Sequence, residues 1–388
     1  MWMVAEHKRM ANYELLRIVA MIMVVILHFL SRSDNLINLD LPLNGVRILG
    51  TLLETFCLVA VNTYVLLSGY LGIRSSFKVS RAVGLLCQIW FYTFFIFFIC
   101  SAMGITTAAS TRGIYGLTEY LFPIETEHYW FATSYFMLYL LTPVLGLAVK
   151  NMTKKQMQIT LGGLLILFSV IKSISPVAFA FDRYGYDLPW FICVYLTAAY
   201  LGRFGFPLME KRGWLFYAGS CLGGFSINLS MWFLSQKWDS FRYYFTVPFH
   251  YNFILCLSGA VGLLYGFSQI RIKEGTLAEI IRRLGSLSFG VYLFHEHIDL
   301  RYLWYDSIKA VINPQGKGGI LYFLRELIFC VLLLFTAGIV IDWIRSRILA
   351  LVGKIFYNTK PGRRLKEMDL CLRPNLRADG SMEDLYEK

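Results

Sequence analysis

The sequence predicts an all-α polytopic membrane protein with about ten transmembrane helices and both termini cytoplasmic, and three observations predict it. Of 388 residues, 57% are hydrophobic, 16% aromatic and only 16% charged, a balance that suits a chain made mostly of spans rather than a soluble domain with a charged surface. Apolar runs close to the ~20 residues that cross ~30 Å of hydrocarbon recur along the chain. Loops rich and poor in Lys and Arg alternate between those runs, the pattern left by repeated crossing of a bilayer.

The first run, approximately 14 to 31, has no small-residue cleavage site after its apolar core, so it reads as a retained helix rather than a removed signal. Runs at approximately 50 to 72 and 82 to 103 follow, separated by a basic loop. The run at 130 to 149 contains Pro143, which lacks an N–H donor and predicts a kink or a short helix there. Further runs fall at 158 to 178, 188 to 206, 213 to 235, 248 to 270, 286 to 304 and 319 to 345. Residues 10–350 therefore form one membrane domain. Residues 351–388 read as a polar cytoplasmic tail with little capacity to build a core.

Loop charge sets the orientation. Lys8, Arg9, Arg17, Arg74, Lys78, Arg81, Lys150, Lys154, Lys155, Arg203, Lys211, Arg212, Arg271, Lys273, Arg282 and Arg283 fall on the side of the termini. Arg32, Arg47, Arg112, Arg183, Lys237, Arg242, Lys309 and Lys317 fall on the other, several balanced by Asp34, Asp40, Asp182, Asp187, Asp239 or Asp306. The sixteen-to-eight split places the first set in the cytoplasm. The net charge of +12 then reads as topology signal with contact to anionic lipid or phosphate, and calls for no nucleic-acid partner. The eight cysteines are scattered without metal-site or disulfide spacing and read as packing residues.

Arg17 and His28 stand out because both are ionisable within the first apolar run. An Arg in hydrocarbon costs roughly 2.5 to 3.5 kcal/mol even on insertion scales, so such a group usually faces a cavity on a functional path. Eleven residues at 100° each return to within about 20° of the starting direction and rise about 16 Å, which puts the two side chains on one face half a bilayer apart. One long molecule, anionic at one end, can touch both. The bland alternatives are an Arg17 that snorkels to the headgroups and a His28 that makes an interhelical hydrogen bond.

Several segments carry a resemblance. Glu14-Leu-Leu-Arg17 followed by ten residues and His28, Ser68-Gly69-Tyr70 at the end of the second run, Lys78-Val-Ser-Arg81 in the next loop, His128-Tyr-Trp130-Phe131 with Tyr139 and Pro143, and Ser286-Leu-Ser-Phe-Gly-Val-Tyr292-Leu-Phe-His295 occur in that order. In these the chain resembles the integral-membrane acyltransferase family three over roughly residues 10 to 345; a proline that often follows the basic loop motif is missing here. The resemblance implies transfer of an acyl group, acetyl being the expected one, from cytoplasmic acyl-CoA to a hydroxyl of an extracytoplasmic acceptor such as a cell-surface glycan. It also implies a multi-pass protein of the bacterial cytoplasmic membrane.

For that chemistry the residues offer His28 as general base, since neutral imidazole titrates near working pH with a reference pKa of about 6.5. Arg17, Lys78 and Arg81 would hold the coenzyme's phosphates, with a topological alternative for the two loop cations. Glu14 reads as the ion-pair partner that orients Arg17, and Trp130, Tyr292 and His295 as supporting residues. Sugar stacking by one or two aromatics competes with their reading as an interfacial belt. No metal is expected: His295 and His297, two apart on a helix, would point about 200° apart and cannot share an ion. A carrier, flippase or glycan-export component is the alternative, since ten spans with buried polar residues also suit transport.

Overall fold

The computed structural model describes residues 9–72, 76–176 and 183–372; Lys8, Arg74, Asp182, the end of the run at 158 to 178 and the tail beyond Leu372 lie outside the described residues. Within them the chain is all helical. In order the helices are α1 (Ala11–Arg32), α2 (Gly45–Cys57), α3 (Ala60–Gly72), α4 (Val79–Ala102), α5 (Ala108–Arg112), α6 (Ile114–Leu121), α7 (Trp130–Asn151), α8 (Lys154–Leu165), α9 (Ile171–Ile174), α10 (Leu188–Phe204), α11 (Pro207–Glu210), α12 (Gly213–Ser235), α13 (Arg242–Thr246), α14 (Ile254–Ser268), α15 (Thr276–His295), α16 (Trp304–Ile312), α17 (Ile320–Phe356) and α18 (Lys360–Cys371). Among the described residues seven helical segments are long and apolar enough to cross a membrane, and α10, with 17 residues, is a shorter apolar helix. The protein is a multi-pass membrane protein.

Local chemistry explains the boundaries. Asn44 caps α2 by accepting from the Arg47 N–H, Thr153 and Gln156 form a capping box at α8, and Asp187 caps α10 ahead of Pro189. The run containing Pro143 is not short, because the 22-residue α7 continues through it. The proline removes the N–H that would reach the Tyr139 carbonyl, and the Thr142 hydroxyl donates to that carbonyl instead at 2.6 Å. Between α8 and α9 a π-helical turn, Ile166–Val170, lets Ser169 donate to the Asn252 carbonyl at 2.6 Å while Asn252 donates to the Phe168 carbonyl at 2.9 Å.

The run placed at 286 to 304 is shifted. α15 starts ten residues earlier and ends at His295, so Arg282 and Arg283 are helical rather than loop residues. Glu279 accepts from both at 3.2 Å, Glu274 pairs with Arg282, and the Arg9 carbonyl accepts from Arg282 at 3.0 Å. Those partners let a charged turn extend the apolar helix.

α1 lies at the centre, packed by α2, α3, α14, α15 and α17. At Gly285 of α15 the approach to α1 is so close that a Cβ would stand 2.6 Å from Glu14 Oε2 and 2.9 Å from the Glu14 carbonyl oxygen. Small residues at helix crossings allow such backbone contact where lipid supplies no hydrophobic drive. Gly285→Ala is accordingly expected to cost about 1–3 kcal/mol through overpacking, read as a lower midpoint of thermal unfolding in detergent. On the other side of α15, Asp342 is fully buried and accepts from Gln88, Tyr92 and Arg345 at 3.0, 3.1 and 2.7 Å. That satisfied network ties α17 to α4. Outward residues such as Leu321, Ile328, Leu332 and Leu351 are exposed, as suits a lipid-facing surface.

Candidate active site

α1, α7 and α15 bring the site together. α1 carries Glu14 and Arg17 on its first turns and His28 about three turns further on, α7 opens at Trp130, and α15 closes on His295. His28 and His295, 267 residues apart in sequence, meet ring to ring: His28 Nδ1 lies 2.8 Å from His295 Nε2. The other nitrogen of His295, Nδ1, lies 2.5 Å from the Val291 carbonyl oxygen, one helical turn earlier. A carbonyl only accepts, so His295 Nδ1 carries the hydrogen and Nε2 of the neutral ring is an acceptor. His28 Nδ1–H then donates to it. The lone pair of the neutral His28 ring is thereby left on Nε2.

Around this relay the charges are arranged in order. Glu296 Oε1 lies 3.5 Å from His28 Nδ1 and 3.5 Å from Arg32 Nη2. Arg32 also donates to the Arg301 carbonyl at 2.8 Å and covers the Tyr302 ring at 4.5 Å. His28, His295 and Glu296 present three nitrogen or oxygen ligand atoms within 4.8 Å of one another. The direct hydrogen bond between the rings and the guanidinium on the carboxylate are arrangements that an ion would have to displace.

His28 borders a mostly apolar cavity. Met21, Val24, Leu27, Val61, Tyr64, Trp130, Phe131, Tyr251, Phe289 and Tyr292 complete the lining. Tyr292 is fixed by the Phe131 N–H, which donates to its hydroxyl at 3.3 Å. Trp130 packs on Tyr186 with ring centroids 4.5 Å apart and stacks on Tyr251 at 5.7 Å and 22°.

The segment that delivers Trp130 is held from two sides. Arg183 donates bidentately to Glu127 at 2.6 and 2.9 Å, and those bonds draw the Glu127 carboxyl below its ordinary range. Arg301 donates to the His128 carbonyl at 2.6 Å. Burial pushes His128 down to about 3, so it stays neutral and pairs through Nδ1 with the Glu119 carbonyl at 3.0 Å. His297 turns away from His295 altogether: its Nε2 meets the Thr93 carbonyl at 3.2 Å, and its Nδ1 accepts from the Asp299 N–H at 3.2 Å.

At the opposite end of α1, Arg17 pairs with Glu14 and Arg9 approaches the same carboxylate at 3.6 Å. Arg17 itself is not part of the cavity lining. Tyr64 links the two regions, since it lines the cavity and its hydroxyl donates to the Arg17 carbonyl at 2.8 Å. Lys78 is held through its backbone: Tyr139 donates to its carbonyl at 3.0 Å and stacks on Phe77. Ser80 donates through its N–H to Asp369 of α18 at 3.1 Å. Among the described residues no hydrogen bond or ion pair joins the Lys78 or Arg81 side chain to Arg17, so the expected basic cluster is not closed by direct contact.

Sequence reasoning passed over three members of this site. Arg32 stood in plain view, one turn beyond His28 on the same helical face. Glu296 was visible only as part of a His-Glu-His string. The Val291 carbonyl carries no sequence signal.

The profile of a family described as "Acyltransferase domain" matches residues 10–345. No curated protein and no solved structure matches the chain.

Proposed function

Since the chain belongs to this acyltransferase family, we propose that it moves an acetyl group from cytoplasmic acetyl-CoA to a hydroxyl of an extracytoplasmic acceptor, a cell-surface glycan. The observation that carries this reading is the Val291–His295–His28 relay beside the cavity. His28 Nε2 removes the proton from the acceptor hydroxyl as its oxygen attacks the thioester carbonyl. The C–S bond breaks, the coenzyme leaves as thiolate, and the His28 imidazolium returns the proton to sulfur. Glu296 steadies the transient cation.

Orientation follows from loop charge. With α10, α12 and α15 added to the seven segments, the chain crosses a bacterial cytoplasmic membrane ten times and keeps both termini in the cytoplasm. Residues 10–350 constitute the acyltransferase domain and residues 351–388 the cytoplasmic tail. The Arg17 end of α1 then faces the cytoplasm, where Arg17, Lys78 and Arg81 hold the coenzyme's phosphates and Glu14 fixes the Arg17 fork. From Arg17 to His28 the helix rises about 16 Å, a distance for the pantetheine arm to span. Trp130, Tyr292 and His295 shape the reacting end. Membrane lipids surround the protein, and no metal or nucleic acid enters the mechanism.

Release of free CoA from radiolabelled acetyl-CoA by the purified protein, with label recovered on a hydroxyl acceptor, tests the activity; no label transfer to any hydroxyl compound would refute it. Arg17→Lys keeps the charge but loses the planar fork. It is expected to raise the KM for acetyl-CoA about tenfold with little change in acceptor KM. An unchanged donor KM would return Arg17 to a membrane anchor.

A further inference from the structure

The chemistry above leaves one charge without a partner. When the acceptor oxygen adds to the thioester carbonyl, the carbonyl oxygen takes up the π electron pair and becomes an oxyanion. In a mostly apolar cavity that charge requires a hydrogen-bond donor. His28 and Glu296 are engaged with the acceptor's proton and do not serve it.

Tyr292 offers such a donor. Its side chain borders the cavity and is only 4% exposed. The Phe131 N–H, in the first turn of α7, reaches its hydroxyl oxygen at 3.3 Å. An amide N–H only donates, so the tyrosine oxygen is the acceptor and its own hydrogen turns elsewhere. Among the described residues no group accepts that hydrogen. By contrast Tyr64, on the same lining, has its hydroxyl committed to the Arg17 carbonyl at 2.8 Å. A buried donor left open in a native structure calls for an explanation, and a catalytic role is one.

Its placement suits that role. Phe131 also lines the cavity, so the Tyr292 hydroxyl lies where α7 and α15 meet at the cavity wall. Tyr292 and His295 share a face of α15 with ring centroids 6.5 Å apart, and the His28 ring lies 5.0 Å from that of His295. Donor and base thus neighbour the same imidazole and border the same cavity. The N–H that Tyr292 accepts comes from the positive end of a 22-residue helix, which draws electron density from the oxygen and strengthens the O–H as a donor.

We propose that Tyr292 is a catalytic residue whose hydroxyl donates to the thioester oxygen as negative charge develops there. The proposal rests on the acyl-transfer reading above. The phenol keeps its proton throughout. As the intermediate collapses, the oxyanion returns its electron pair to carbon, the C–S bond breaks, and the His28 imidazolium gives its proton to the departing sulfur.

The test uses the full-length protein in detergent, as wild type, as Tyr292→Phe and with a ring-fluorinated tyrosine installed in place of Tyr292. Radiolabelled acetyl-CoA reports turnover. A ketone analogue of acetyl-CoA, with a methylene in place of the thioester sulfur and an isotopic label at the carbonyl carbon, reports the hydrogen bond through its C=O stretching frequency. Tyr292→Phe should lower kcat about tenfold, the worth of one hydrogen bond. The KM for acetyl-CoA should change little, because the bond strengthens only as charge develops. The bound ketone should stretch at a higher frequency in Tyr292→Phe than in the wild type. It should stretch at a lower one beside the fluorinated ring, whose more acidic phenol is the stronger donor. A hydroxyl that serves only to hold the Phe131 N–H would not move the frequency in the fluorinated protein.

Wild-type kcat in a well-folded Tyr292→Phe, an unchanged C=O frequency in the fluorinated protein, or acetyl label retained covalently on Tyr292 would each overturn the assignment and leave acyl transfer standing. If Tyr292→Phe does not fold, the fluorinated protein decides by the same frequency. Failure of the wild type to cleave acetyl-CoA at all would remove the acyl-transfer reading itself, and this role with it.

Discussion

His28→Ala is expected to lower acetyl transfer by about 10² to 10⁴-fold, the usual cost of losing a general base, while the protein still inserts and folds. The side chain already borders a cavity, so truncation enlarges existing space rather than opening a void in a sealed core. His295 keeps its bond to the Val291 carbonyl in the variant. The comparison to make is kcat at saturating donor and acceptor, beside size-exclusion elution and the thermal unfolding midpoint of the purified variant. Wild-type kcat in a well-folded variant would end the assignment of His28 as base. Loss of both folding and activity would call for His28→Gln, which preserves a donor to His295 and still lacks a base.

His295→Ala should produce the second largest effect, a loss of about 10 to 100-fold, by analogy with the cost of removing the hydrogen-bond partner that orients a metal-ligating histidine. His295 does not need to touch the acceptor for this. Without it His28 Nδ1–H has no defined acceptor, the ring is free to exchange tautomers, and the fraction with its lone pair on Nε2 falls. His295→Gln retains a carbonyl acceptor and should recover part of the activity, a rescue that a pure packing role would not give. Equal activity of the Ala and Gln variants would show that His295 acts through volume alone.

The first helix was legible in the sequence because charge inside an apolar run is rare and the helical period is fixed: Arg17 and His28 had to share a face. The composition gave the all-helical membrane class for the same reason, since only closed backbone hydrogen bonding survives in lipid. His295 was visible as part of a motif, but its contact with His28 was not. That pairing depends on how α15 crosses α1, and the crossing is set by Gly285 against Glu14, a steric fit that no local pattern encodes. Local pattern also misplaced α15, because Arg282 and Arg283 look like loop residues until their partners Glu274, Glu279 and the Arg9 carbonyl are known. Pro143 did not shorten α7: the compensating Thr142 hydroxyl was adjacent in sequence, yet its rotamer was not predictable from it.

Sidedness in sealed vesicles tests the central claim most directly, because transfer across the membrane separates this enzyme both from a carrier and from a transferase confined to one face. Acetyl-CoA is supplied to one face at a time, with a membrane-impermeant glycoside on the other. The loop charges predict that donor works only on the face bearing Lys154 and Arg283, that acetylated product appears on the face bearing Asp187 and Asp239, and that CoA remains where it was added. The coenzyme's phosphates have no favourable route through hydrocarbon, so only the acetyl group changes sides. Product forming only when donor and acceptor share a face, or glycoside crossing unmodified, would contradict the account.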